Sequence, residues 1–213
     1  MSYSSRNHEP FASPEKQNQK VEQKLQKLRE LYADAPEIGK AALKNGLAML
    51  TEELGAPSAA QTAGRIGARQ GKVSELTVLL PFVKGGAKRL RGFLQLLEGN
   101  FRAADAVGTV HNMRFVFLDN DTKLLFATAY DGDFDPYIAD FAAKIPNAMD
   151  LWLCNCEGYP GMRNPAAAAD WIAKHQIAAE AWYVNSPNLT AAETRKGERV
   201  GRAVDEFLDK VGG

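Results

Sequence analysis

Apolar positions recur along this chain with two periods, and the switches between them mark out its elements. From Gln17 to Tyr32, the residues Val21, Leu25, Leu28 and Tyr32 return every three or four positions among Lys, Gln and Glu, which predicts an amphipathic helix. Leu43, Leu47, Leu50 and Leu54 form a second seam. It is opened by a capping-box-like Asp34-Ala35-Pro36-Glu37 and closed by Gly55 and Pro57, so the two segments predict an antiparallel helical hairpin. Ala56 to Lys72 is small, glycine-bearing and basic and reads as a linker; without a lysine-serine or lysine-threonine ending it is no P-loop.

From Val73 the period changes to two. Val73 to Val83 carries apolar residues on both faces and predicts a strand, and Lys84-Gly85-Gly86 turns it into a helix running to about Glu98 on a stripe of Leu90, Phe93, Leu94 and Leu97. The glycine pair reads either as a plain turn or as an anion site at a helix start. Thr109 to Leu118 and Lys123 to Tyr130, joined by Asp119-Asn120-Asp121, predict a β-hairpin. Asp133-Phe134-Asp135-Pro136 caps a helix from Tyr137 to about Lys144, Pro146 stops it, and Met149 to Cys156 predicts a fourth strand.

Strand, helix, strand, strand, helix, strand is the ferredoxin-like βαββαβ order of an α+β domain with an antiparallel sheet, here over 73–158. The expected organisation is therefore a polar, mobile arm at 1–15, the helical hairpin and linker at 16–72, this core, and a C-terminal helical extension at 159–213 packing on the core. The extension holds a helix at Ala166 to Lys174 and a segment, Glu180 to Val184, that is either an edge strand or an extended piece lying on the sheet. A terminal helix follows, capped by Thr190-Ala191-Ala192-Glu193 and striped by Val200, Val204, Phe207, Leu208 and Val211.

One feature conflicts with a sheet covered on one side only. Leu76, Val78 and Leu80 alternate with Thr77, Leu79 and Pro81, and Leu124 and Phe126 alternate with Leu125 and Ala127, so neither face is polar. The second face must be covered by another subunit or by the terminal helices, and a homo-oligomer is the expected partner arrangement.

Composition narrows the classes. In 213 residues with 45% hydrophobic content, Lys plus Arg and Asp plus Glu both number 26, so no net field favours nucleic acid or an anionic membrane. The first twenty residues lack the apolar core of a secretory signal, and no run approaches the ~20 apolar residues of a membrane span, so a cytoplasmic protein is expected. Cys154 and Cys156, one residue apart in a predicted strand, are too close for an easy disulfide and read as small buried residues.

The candidate chemistry lies in the hairpin. Strict alternation puts His111 on a face with Met113, Phe115 and Phe117, and Arg114 on the other with Asn112 and Val116. His111 reads as a haem ligand, a general base, or a core histidine bonded to backbone. Arg114 needs a ligand, a partner chain, or an acid such as Asp131 or Glu157. Asp131, Asp133 and Asp135 look superficially like a calcium loop but lack its closing carboxylate, which leaves capping. His175 suits the end of its helix, as a cap or as a second metal ligand. The absence of HExxH, paired CxxC, GxSxG and a Rossmann glycine pattern removes support for hydrolases and nicotinamide dehydrogenases.

Val73 to Phe82, Gly108 to Gly132, Gly158-Tyr159-Pro160, and His175-Gln176 followed by Trp182-Tyr183 resemble a group of poorly characterised bacterial proteins with ferredoxin-like, dimeric α+β barrel domains. Fold relatives of that group include Dyp-type peroxidases, chlorite dismutases and cofactor-free monooxygenases. The resemblance implies an oxidoreductase-like barrel holding a small apolar or aromatic ligand, haem among the options, in a cavity over the sheet. His111 and Arg114 would be its catalytic residues, Asn112 and Tyr130 would join them at its mouth, and His175 would be the alternative axial ligand. The competing expectation is a non-enzymatic assembly protein that docks through its N-terminal helices.

Overall fold

The computed structural model describes residues 14–56, 58 and 60–212, and divides into two compact units that meet between Ser58 and Ala59. The arm expected over 1–15 lies outside the described residues apart from Pro14 and Glu15, which begin the first helix.

The first unit is three helices: α1 (Pro14–Leu31), α2 (Glu37–Asn45) and α3 (Leu47–Gly55). α1 packs on α3, with Leu25 buried and with Gln17 and Lys24 donating to the carbonyls of Gly55 and Leu54. The second predicted helix is thus two. Asn45-Gly46 interrupts it, and its start carries no side-chain cap from Asp34, since Pro36 takes the N-cap position.

The second unit opens with β1 (Ala60–Thr62) and β2 (Ala68–Gln70), a short hairpin where the sequence read as a linker. Then come β3 (Val73–Pro81), α4 (Gly86–Leu97), α5 (Arg102–Val107), β4 (Val110–Leu118), β5 (Lys123–Asp131), α6 (Phe134–Lys144), α7 (Pro146–Leu153), α8 (Pro165–Lys174) and α9 (Ala191–Val211). The strands form one antiparallel sheet in the order β1-β2-β3-β5-β4. The basic residues of the former linker tie this sheet to its neighbours: Arg65 to Asp135 and Asp170, Arg69 to Asp133, and Lys72 to Glu193.

The central hairpin forms as its residues predict. Asp119, Asn120 and Asp121 all take positive φ, a conformation Asp and Asn tolerate better than most residues. Arg91 of α4 clamps the turn with two bonds to Asp121, which raise the arginine and lower the aspartate from their ordinary pKa values.

Leu76, Val78, Leu80, Leu124 and Phe126 pack on Leu90 of α4, Ile138 and Phe141 of α6, Met149, Trp152 and Leu153 of α7, and Trp171 and Ile172 of α8. Burying each such side chain contributes about 1.5–3 kcal/mol. Among these side chains lies a void of about 20 Å³ with apolar walls. Gly86 fits here because a β-carbon would collide with the carbonyl of Asn155, and Gly85 before it takes a left-handed φ of 75° at the N-cap of α4.

The fourth strand is not there. Pro146 does stop the preceding helix, since α6 ends at Lys144 and Ile145 leaves the helical conformation, but it is also the first residue of α7, and Met149 to Leu153 is the end of that helix. Met149, Trp152, Leu153 and Cys156 form the buried side and Leu151 is 55% exposed, a helical stripe that the alternation of Met149, Leu151 and Leu153 disguised. The edge of β3 is paired instead by three short pieces. β2 pairs with Val73 and Ser74, Gln176 bridges to Val78, and Cys156 bridges to Phe82.

The cysteines separate accordingly: Cys154 is exposed and Cys156 buried, where burial, and after it the neighbouring Cys154, pushes the thiol up to about 12. A colorimetric thiol reagent should therefore titrate Cys154 rapidly in the native protein and Cys156 only after unfolding; equal native rates would contradict this packing.

Candidate functional site

The second face of the sheet holds a trough. Across the register, Glu75 lies opposite Ala129 and Ala129 opposite Asn112, while Thr77 lies opposite Ala127 and Ala127 opposite Arg114. β5 contributes only methyl groups at these two steps. They form a low floor between taller walls, Glu75 and Thr77 on β3, Asn112 and Arg114 on β4. Ala127 and Ala129 are buried, and the segment after α8 supplies Ala179, Ala181, Trp182 and Tyr183 above them, enclosing about 370 Å³.

That segment is extended, not an edge strand, and it is held along β3 by backbone. The Leu79 amide donates to His175, the Ile177 amide to Thr77 and the Lys72 amide to Pro187, and the Gln70 amide group donates to the Trp182 carbonyl at 2.7 Å. Gly71 sits at φ +59°, and a β-carbon there would strike the Pro187 carbonyl, so the end of the segment closes on a position that only glycine fills without displacement. The extended segment between α8 and α9 thus covers part of the second face. Val116, further along β4, stays 40% exposed.

The candidate residues separate. Asn112 and Arg114 line the trough. Arg114 has no ion pair or hydrogen bond among the described residues, and the acids proposed for it are engaged elsewhere or lie apart. His111 does not share the face of Met113. A bulge between Val110 and Asn112 shifts the register, and its imidazole meets Asp131 on the second face at 2.7 Å. The same Asp131 carboxylate accepts from the Ala191 amide, the first of α9. Asp133 and Asp135 pair with Arg69 and Arg65, so each carboxylate of the calcium-like run has a separate partner.

Tyr130 is not at the mouth. It is fully buried on the core face, stacked on Tyr137 at 3.8 Å, and desolvation pushes both phenols above their ordinary pKa. His175 closes α8, with Nδ1 on the Trp171 carbonyl at 2.8 Å. Neither histidine lines the trough, so the residues present offer no axial ligand there and do not fit haem. Glu75, Thr77 and the alanine floor were missed by motif reasoning; the signal was a carboxylate inside an apolar strand, two residues from Thr77.

α9 springs from the end of this face. Thr190 and Glu193 form the predicted capping box, and Lys72 donates to both Glu193 oxygens at 2.9 Å. Lys72, then Thr190, hold the Glu193 carboxyl down to about 2 from an ordinary 4.5. Because the folded value is the lower one, this contact supports the fold above the ordinary carboxylate range and is lost as pH falls through the folded value. The thermal midpoint should drop between about pH 5 and pH 2, and Glu193→Gln should flatten that limb; an identical acid limb in the variant would show that the contact does not couple to folding.

Comparison with family models, with curated proteins and with solved structures gave no match.

Proposed function

We propose that the protein binds a small organic anion with a flat apolar body in the trough of its second sheet face. One observation carries this reading: an unpaired guanidinium on the wall of an alanine-floored cavity beneath Trp182. Arg114 would take the carboxylate or a similar group as a bidentate partner. Ala127 and Ala129 leave room for a ring, and Trp182 and Tyr183 offer it aromatic surface. This retains the ligand from the expectation above. His111 and His175 do not line the cavity, so the reading assigns Arg114 a binding role and rests no reaction on either histidine.

The finer fold belongs to the same proposal. The order β3-β5-β4 supports a ferredoxin-like unit whose fourth-strand position is shared among residues 69–70, 156 and 176. The exposure of Val116 on the second face supports a second copy as its cover, in the manner of a dimeric α+β barrel.

Calorimetric titration of the full chain with para-methylbenzoate tests the ligand. Binding is expected, and Arg114→Gln should weaken it about tenfold or more, the worth of a charge-assisted hydrogen bond of about 1.5–3 kcal/mol. Ala129→Leu should abolish it by filling the floor while leaving the circular dichroism spectrum unchanged. Equal affinity in Arg114→Gln and the native protein would refute this site.

A further inference from the structure

The wall facing Arg114 carries the second clue. Glu75 is only 5% exposed, yet it lines the trough. Its partners among the described residues are the Ala68 amide at 3.3 Å on one oxygen and the Thr77 hydroxyl at 3.2 Å on the other. Both are longer than an ordinary hydrogen bond of their kind, and an ionised carboxylate offers about four acceptor positions. No basic side chain pairs with Glu75 among the described residues. A buried carboxylate in that position is costly unless a cation completes it.

The natural cation, Arg114, stands on the wrong strand. β3 and β4 flank β5, which separates them by about 10 Å, and the floor between is two methyl groups that bridge nothing. The trough therefore presents an acid and a base to the same space, and no ion pair joins them among the described residues. Holding β2 in place accounts for the Ala68 contact on one oxygen. It does not account for a carboxylate where Gln would accept the same bond.

We propose that the ligand is dipolar: a small aromatic molecule with a protonated amine at one end, received by Glu75, and a carboxylate at the other, received by Arg114, its ring lying over Ala127 and Ala129. This rests on the ligand-binding reading above and names the class of molecule bound. A compact α-amino acid presents both charges at one end; the two walls call for charges on opposite ends of the ring.

Three probes of one shape separate the possibilities: para-aminomethylbenzoate with both charges, para-methylbenzoate with the anion alone, and para-methylbenzylamine with the cation alone, each titrated into the full chain. The dipolar probe should bind about tenfold or more tightly than either of the others. In Glu75→Gln that advantage over para-methylbenzoate should vanish, while para-methylbenzoate itself, relieved of a neighbouring carboxylate, should bind no more weakly than before. In Arg114→Gln, at an exposed position, the dipolar probe should fall to the level of para-methylbenzylamine; this arm decides the matter even if Glu75→Gln fails to fold. If para-methylbenzoate matches the dipolar probe in the native protein, or the advantage survives Glu75→Gln, the dipolar ligand is refuted and the anion pocket stands. If no probe binds, both fall together.

Discussion

Backbone pairing along β3 is the constraint on which the second unit depends. β3 is flanked on both edges and carries side chains into covered regions on both faces, so each of its amides and carbonyls needs a partner that is not water. One edge is met by β5 through nine continuous register pairs, from Val73–Asp131 to Pro81–Lys123. The other edge is met piecemeal by residues from three places in the chain. A single long strand there would have left no slack. Three short pieces let the chain leave the edge between contacts, and the excursion after Gln176 is what roofs the trough. The cavity and the irregular edge are one structural solution.

Asp131 plays the matching part at the end of β5. It accepts from the His111 imidazole on the bulge of β4 and from the first amide of α9. That small network fixes the exit angle of the terminal helix with Lys72, Glu193 and Arg195, whose guanidinium donates to the Gly108 carbonyl. Beyond this polar root every residue from Lys196 to Gly212 is exposed, including Val200, Val204 and Phe207. A helix exposed on every side gains nothing from tertiary packing, so its capping box and its tether to the sheet carry much of its order.

The fold was legible where a residue pattern admits one reading. The hairpin, its Asp-Asn-Asp turn, α4, α6, α8 and the Thr190 cap all follow from local chemistry, which the tertiary structure leaves intact. It was illegible where two periods coincide: Met149, Leu151 and Leu153 satisfy an alternation, and Met149, Trp152, Leu153 and Cys156 a helical stripe, and only the packing of Trp152 into the core decides between them. The linker reading failed for a different reason. β1 and β2 are three residues each, and their pairing is enforced by β3 and by ion pairs to Asp133, Asp135 and Glu193, none of which is local.

The site was harder to read than the fold because its largest feature is an absence of side chain. Ala127 and Ala129 look like filler in a strand pattern, and Glu75 looks like an interruption of one. Their meaning comes from register alone, which sets Glu75 beside Ala129 and Arg114 beside Ala127 and so puts an acid and a base on the two walls of one floor. Alternation placed Arg114 correctly on the second face, but it misplaced His111, since one inserted residue reverses the parity of everything before it. A bulge cannot be seen in the period it breaks. Chemistry carried on sheet faces is therefore legible only to the extent that register is, and here register came from pairings spanning the whole second unit.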